Sequence, residues 1–376
     1  MFNKAVTLFR IFGFEVKVDW SWLILGALIV WSLATGLFPS WYEGLDPAAY
    51  WAMGVAGAVG LFLSIVFHEL CHSIVARRFG LDMKGITLFL FGGVAEMGDE
   101  PPSPRAEFLL AVAGPVSSAV LGAALFGLGF LLRGSGAVTP VRGILNYLAI
   151  LNLVLAVFNL IPAFPLDGGR LLRAVLWGLK GDLRGATRIA SGIGAGLGAG
   201  LMFLGAAQFF LGRSVGGLWT LVIGMFVRGA AKSSYRQLLF RRAVEGVPVR
   251  KFMVADAVSV GPRASIEELV DDYVYKYHFK MYPVVDGGQL VGCVTLDQVK
   301  GVPREDWAAR NVGELAQACS RENTVRPDDD VLKALALMNR TGRGRLLVVD
   351  GGKLAGVIAL KDILGFIALK LDLEEQ

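Results

Sequence analysis

The sequence predicts a polytopic α-helical membrane protein of about six transmembrane helices, followed by a soluble α/β domain built from two repeats. Three observations predict it. Hydrophobic residues make up 54% of the 376 residues, charged residues only 18%, and the mean hydropathy is +0.56; a soluble average is far more polar. The apolar residues dominate up to about residue 232, and an ordinary soluble composition follows. The soluble part contains a self-similar stretch: YPVVDGGQLVGCVTLDQV begins at Tyr282 and LLVVDGGKLAGVIALKDI at Leu346. The expected division is therefore a membrane domain over 1–232, a linker helix over 233–248, and a repeat domain over 249–376.

Taken in order, residues 1–19 are too short to span. Phe14, Val16 and Val18 alternate with Glu15, Lys17 and Asp19, the pattern of a half-buried strand at the membrane surface. No short apolar core precedes a small-residue cleavage site, so no cleaved signal peptide is expected. Apolar segments follow at roughly 20–38, 51–76, 106–132, 143–161, 187–212 and 215–231, near the length a bilayer needs.

Basic residues gather at the segment ends on one side, among them Arg77, Arg78, Arg170, Arg173, Arg228 and Lys232, against Arg133, Arg142 and Arg213 on the other. Positive residues favour the cytoplasm, which puts both termini there. The net charge of +5 and the pI of about 9.1 are explained by this topology. No RNA-binding signature accompanies them, and nucleic acid is not an expected partner. The three cysteines form neither a paired framework nor a metal spacing, which suits a reducing, cytosol-facing soluble part.

The second segment carries H-E-x-x-H: His68, Glu69, Leu70, Cys71, His72. At about 100° per residue, all three polar side chains fall on one face of a helix. Two imidazoles there share one metal ion, and the carboxylate reaches a water on that ion. An ionisable group in such an apolar run is costly and marks a functional site. The motif lies near the cytoplasmic end of its span. The third segment brings Ala113-Gly114-Pro115 to the same depth, and the fourth ends in NLIPAFPLDGGR, Asn159 to Arg170. Pro162 and Pro165 break the helix there, which leaves Asp167 on non-helical backbone close to the same face. A catalytic zinc takes three protein ligands and keeps a fourth position for water. Asp167 is the candidate third ligand; its alternative role is to cap the turn before Gly168-Gly169.

Between the second and third segments, Gly85 to Pro104 reads as a hairpin around Gly92-Gly93 that is too short to span. Residues 86–95 would hold an extended substrate segment by strand addition, with Gly92 and Gly93 as substrate-binding residues. The fifth segment carries Gly192, Gly194, Gly196, Gly198 and Gly200; four-residue glycine spacing permits close helix approach. Each unit of the C-terminal repeat reads strand, turn, strand, helix, with a helix upstream at Ser265–Tyr277 and Asp330–Arg340.

The HELCH string, the FGGVAEM loop, Ala113-Gly114-Pro115 and the N-x-x-P-x-x-P-x-D-G-G string at 159–169 together resemble the site-2 protease family of intramembrane zinc metalloproteases over roughly residues 1–232. The resemblance implies His68, His72 and Asp167 as zinc ligands, Glu69 as general base and Asn159 as a substrate-binding residue. The repeat, at about 249–301 and 310–371, resembles a tandem CBS domain. CBS pairs bind adenine nucleotides through a Thr and an Asp three residues later. Here Thr295 is followed by Gln298, and Ala359 precedes Asp362, so each half keeps one element. A scaffold or homodimer role is as well supported as nucleotide binding.

The expected function is zinc-dependent cleavage of the transmembrane segments of membrane-tethered regulators near the cytoplasmic face. The alternative is a CBS-gated membrane transporter or channel, with His68, Glu69 and Asp167 forming an ion path.

Overall fold

A computed structural model describes residues 6–81, 83–89, 92–97, 100–132, 139–212, 214–320 and 322–374. Two compact units divide the chain, Met1–Arg236 and Gln237–Gln376.

The first unit opens with β1 (Val6–Ile11) and β2 (Phe14–Val18). Phe14, Val16 and Val18 are buried, as their alternation predicts. Asp19 then caps α1 (Trp20–Ser32), accepting from Ser21 N. The helix continues through a π-helical turn, Leu33–Leu37, into α2 (Phe38–Trp41). Asp46 at the N-cap and Pro47 in the first turn start α3 (Pro47–Arg78), which carries H-E-x-x-H in its last third. After it come β3 (Met83–Phe89) and β4 (Gly92–Met97). Then follow α4 (Pro104–Leu131), α5 (Thr139–Asn159), α6 (Asp167–Lys180), α7 (Leu183–Phe210) and α8 (Ser214–Val244).

Among the described residues, five helices are long and apolar enough to cross a membrane: Trp20–Trp41, Pro47–Arg78, Pro104–Leu131, Thr139–Asn159 and Leu183–Phe210. The sixth expected segment, 215–231, forms the first half of α8, which runs on without a break into a basic, polar stretch.

The four strands form one sheet in the order β1-β2-β3-β4. β2 and β3 are parallel and the other neighbours antiparallel. The parallel pair needs a long crossover, which α1 to α3 supply. One sheet face buries Phe14, Val16, Val18, Ile86 and Leu88 against Trp22 and against Val66 and Leu70 of α3. The Arg77 guanidinium lies 4.0 Å from the Phe14 ring centroid, tying the end of α3 to β2. The hairpin forms as expected, but Gly92 and Gly93 open β4 opposite Phe89 and Leu88. Residues 90–91 lie outside the described residues. β4 ends the sheet, beside α3.

The glycines of α7 divide by face. A Cβ at Gly194 would sit 2.0 Å from Phe164 O, and one at Gly198 would sit 2.6 Å from Arg228 N. Gly192, Gly196 and Gly200 meet nothing within 4 Å. Two of these five glycines therefore serve close backbone packing.

In the second unit, α9 (Ile266–Glu268) runs through a π-helical stretch, Leu269–Val274, into α10 (Tyr275–Tyr277). The first repeat continues with β5 (Met281–Asp286), β6 (Gln289–Thr295) and α11 (Leu296–Lys300). Then come α12 (Val312–Leu315), β7 (Gln317–Ala318) and β8 (Thr324–Val325). The second repeat has α13 (Val331–Thr341), β9 (Arg345–Asp350), β10 (Lys353–Ala359) and α14 (Leu360–Glu374).

Both Asp-Gly-Gly turns have the same backbone, φ +55° and +83° at Gly287-Gly288 and again at Gly351-Gly352. Two consecutive positive φ values are what a tight hairpin asks for, and glycine supplies them without strain. The repeats are knitted crosswise. β7 pairs with β6 of the first repeat, while Val254 pairs with Val357 of the second.

Candidate metal centre

α3 presents His68 and His72 one turn apart, both 4% exposed. α5 ends at Asn159, and residues 160–166 fold back before α6 begins. A Cβ at Gly168 would sit 2.3 Å from Leu160 O, and one at Gly169 2.3 Å from Phe164 N. Only glycine lets this loop lie directly on the first turn of α6. Asp167 is the first residue of that helix, with Leu166 in extended conformation as its N-cap. This corrects the expectation that Asp167 lies on non-helical backbone. The two prolines do break the chain, but the break ends at Leu166. The carboxylate gains from the partial positive charge of the helix N-terminus.

The loop brings Asp167 Oδ2 to 3.1 Å from His68 Nε2 and 3.2 Å from His72 Nε2. The two Nε2 atoms are 3.2 Å apart. The far side of each ring is also held. His72 Nδ1 lies 2.6 Å from Leu110 O, and His68 Nδ1 lies 2.9 Å from Ser118 Oγ, both on α4. A backbone carbonyl only accepts, so His72 carries its hydrogen on Nδ1 and leaves the Nε2 lone pair free.

This donor set fits a metal ion. The bare Nε2 of His72 faces the Asp167 carboxylate at 3.2 Å, a lone pair against an anion, and a positive charge between them relieves that repulsion. Zinc at about 2.0–2.1 Å from four tetrahedral ligands has ligands about 3.3–3.4 Å apart, within a few tenths of the distances found. Outer hydrogen bonds from Nδ1 are the usual way such rings are oriented.

Two glycines border the centre. A Cβ at Gly114 of α4 would sit 2.2 Å from His72 Nε2 and 2.5 Å from His68 Nε2. A Cβ at Gly93 of β4 would sit 2.9 Å from Glu69 Cγ and 3.1 Å from its Oε1. The α4 backbone thus closes one side of the triad, and the last strand of the sheet lies over the Glu69 carboxylate. α6 is fastened to α4 by Arg173, whose Nε donates to Glu107 Oε1 at 2.6 Å. Its Nη2 reaches Glu100 Oε2 at 3.3 Å, and its guanidinium lies 5.2 Å from the Phe164 ring centroid.

The sequence reading named His68, Glu69, His72 and Asp167 but missed Ser118, Leu110 O and the steric part of Gly114. The Ala-Gly-Pro string pointed to the right turn of α4, and Ser118 follows Gly114 by one turn on the same face. Asn159 closes α5 half-buried and makes no hydrogen bond to the triad among the described residues.

In the second unit, Thr295 caps α11. Gln298 Oε1 accepts from Thr295 N and from Thr295 Oγ1, both at 2.8 Å, while Gln298 Nε2 donates to Leu315 O at 2.7 Å. The residue that replaces the expected Asp is thus a structural clasp that occupies Thr295. Asp362 lies in the first turn of α14.

The family model of peptidase family M50 matches residues 56–142 and 133–204, and that of the CBS domain matches 249–303 and 312–369. Rip3 of Mycobacterium tuberculosis, named as a zinc metalloprotease, is 37% identical over 363 residues, covering 96% of this chain and 92% of that protein. Zinc metalloprotease MJ0392 of Methanocaldococcus jannaschii is 31% identical over 376 residues, covering 100% of this chain and 99% of that protein. Among solved structures, the site-2 protease from the same archaeon aligns at 31% identity with a TM-score of 0.43, covering 62% of this chain and 95% of that chain.

Proposed function

The chain belongs to peptidase family M50, the site-2 proteases, and from that premise we propose that it cuts the transmembrane segment of a membrane-tethered protein near the cytoplasmic face, using one zinc ion. It is a membrane metalloprotease, and family membership displaces the transporter reading. In this proposal His68, His72 and Asp167 hold the ion. Bound zinc would lower the pKa of its water toward about 7 and polarise the scissile carbonyl. The single observation that carries the assignment is the meeting of three donors from α3 and α6 within 3.2 Å of one another.

Glu69 is the general base. It takes the water proton and passes it to the leaving amine. A helical substrate hides its peptide bonds in its own hydrogen bonds, so it must be held extended. β4 ends the sheet over Glu69, and its Gly92-Gly93 backbone offers hydrogen bonds to an added strand without a side chain in the way. Asn159 would bond that strand from α5. The basic segment ends favour cytoplasmic termini, hence water entry from that side.

The CBS pair is a scaffold, with homodimerisation as its expected use, because Gln298 already occupies Thr295; any adenine nucleotide would rely on Asp362. The test is cleavage of a single-span membrane protein by purified enzyme, with and without chelator. Glu69→Gln should retain zinc and lose at least about 100-fold in rate. Turnover near wild type in that variant would refute the role given to Glu69.

A further inference from the structure

A buried polar seam leads from His68 into the apolar interior. Asn152 of α5 is 0% exposed. Its Nδ2 donates to Ser64 Oγ at 2.9 Å and to Leu148 O at 2.8 Å. The carbonyl partner fixes which end of the amide is nitrogen. Ser64, one turn before His68 on α3, donates its own proton to Gly60 O at 2.8 Å. Asn152 Oδ1 is buried with no hydrogen-bond partner. A buried acceptor left unpaired is costly and calls for an explanation.

The explanation comes from counting protons on the other side of the seam. Ser118 of α4 is also 0% exposed, 2.9 Å from His68 Nδ1. His72 has a carbonyl that settles its tautomer, whereas His68 has a hydroxyl, which can donate or accept. For His68 Nε2 to keep a lone pair, Nδ1 must carry the hydrogen and give it to Ser118 Oγ. The Ser118 hydroxyl then still has one proton to place. The carbonyl of its own helix one turn back, Gly114 O, already accepts from Ser117 Oγ at 2.7 Å.

One turn on from Ser118, α4 lies against α5: a Cβ at Gly122 would sit 3.0 Å from both Ala149 O and Leu153 Cγ. Ser118 touches His68 and Asn152 touches Ser64, and those two partners lie one turn apart on α3. The spare proton and the spare acceptor thus face neighbouring turns of one helix, a gap that one buried water would bridge.

We propose that Ser118 and Asn152 are positioning residues for His68. Asn152 Oδ1, through one buried water, takes the Ser118 proton and so commits the Ser118 oxygen to accept from His68 Nδ1–H. The Nε2 lone pair is then presented to the metal before any ion arrives. The proposal rests on His68 being a ligand, and its test separates the two ideas.

Two quantities are measured on the full-length protein in lipid nanodiscs. One is zinc affinity by competition with a chelator. The other is the ring 15N signature of His68 in zinc-free protein, which reports the tautomer directly. Wild type should show the Nδ1–H form. Ser118→Ala and Asn152→Leu should each mix the tautomers and weaken zinc binding, Ser118→Ala by about 10–100-fold. The double variant should bind no more weakly than Ser118→Ala alone, since both act through one hydroxyl. Ser118→Thr, which keeps a hydroxyl, should recover affinity. Additive losses in the double variant, or a wild-type tautomer in Ser118→Ala, would overturn the relay. A wild-type protein that binds no zinc yet shows the Nδ1–H form would overturn the metal reading and leave the relay standing.

Discussion

Asp167 Oδ2 lies 3.1 Å from His68 Nε2, although 99 residues separate them. Nothing local brings them together. The contact depends on a helix that stops at Asn159, a loop that doubles back, and two glycines that let the loop lie on the next helix. The centre is therefore only as well placed as α6 is held.

That dependence makes Arg173 a first target. Its buried pair with Glu107 fastens α6 to α4. Arg173→Met leaves the buried Glu107 carboxylate without its hydrogen-bond donor and should cost about 3–5 kcal/mol of stability. Removing both charges together, in Arg173→Met with Glu107→Leu, should recover most of the loss. Thermal unfolding of the detergent-purified variants reads both. An unchanged unfolding temperature in Arg173→Met would show that the pair holds nothing.

Gly114→Ala tests how closely α4 closes the triad. Alanine in a helix is intrinsically favoured by up to about 1 kcal/mol over glycine, so folding should survive. Its Cβ, however, would sit 2.2 Å from His72 Nε2. The imidazoles must shift, and zinc affinity should fall at least about 10-fold. Gly93→Ala should do the reverse, displacing Glu69 and lowering the cleavage rate with zinc retained. Zinc content and turnover measured side by side distinguish the two glycines.

In the second unit, Gln298→Ala should loosen the tie between Thr295 and Leu315 and lower the unfolding temperature without creating a nucleotide site. Any shift that AMP or ATP gives to the full-length protein should vanish in Asp362→Ala. A nucleotide response that Gln298→Ala abolishes and Asp362→Ala leaves intact would contradict this reading.

Much of this architecture is legible in the chain. The H-E-x-x-H spacing alone puts both imidazoles on one face of α3, because helix geometry is local. The Asp-Gly-Gly turns announce their hairpins, because positive φ is a property of single residues. Asp167 was legible as a ligand candidate from its depth, yet its place at the start of a new helix was not. Two prolines signal where a helix ends and say little about where the next begins. Ser118, Leu110 O and the close approach of Gly114 are tertiary facts. They depend on the rotation of α4 against α3, which no short pattern encodes. The crosswise pairing of Val254 with Val357 is hidden for the same reason.

The measurement that bears most directly on the metal centre is zinc content, by mass spectrometry, of detergent-purified Asp167→Ala and Asn159→Ala, matched for folding by thermal shift. Wild type should carry close to one zinc per chain. Asp167→Ala should lose zinc and activity together, because it removes one of three ligands. Asn159→Ala should lose activity and keep its zinc. Full occupancy in folded Asp167→Ala would contradict the assignment of His68, His72 and Asp167 as the metal site.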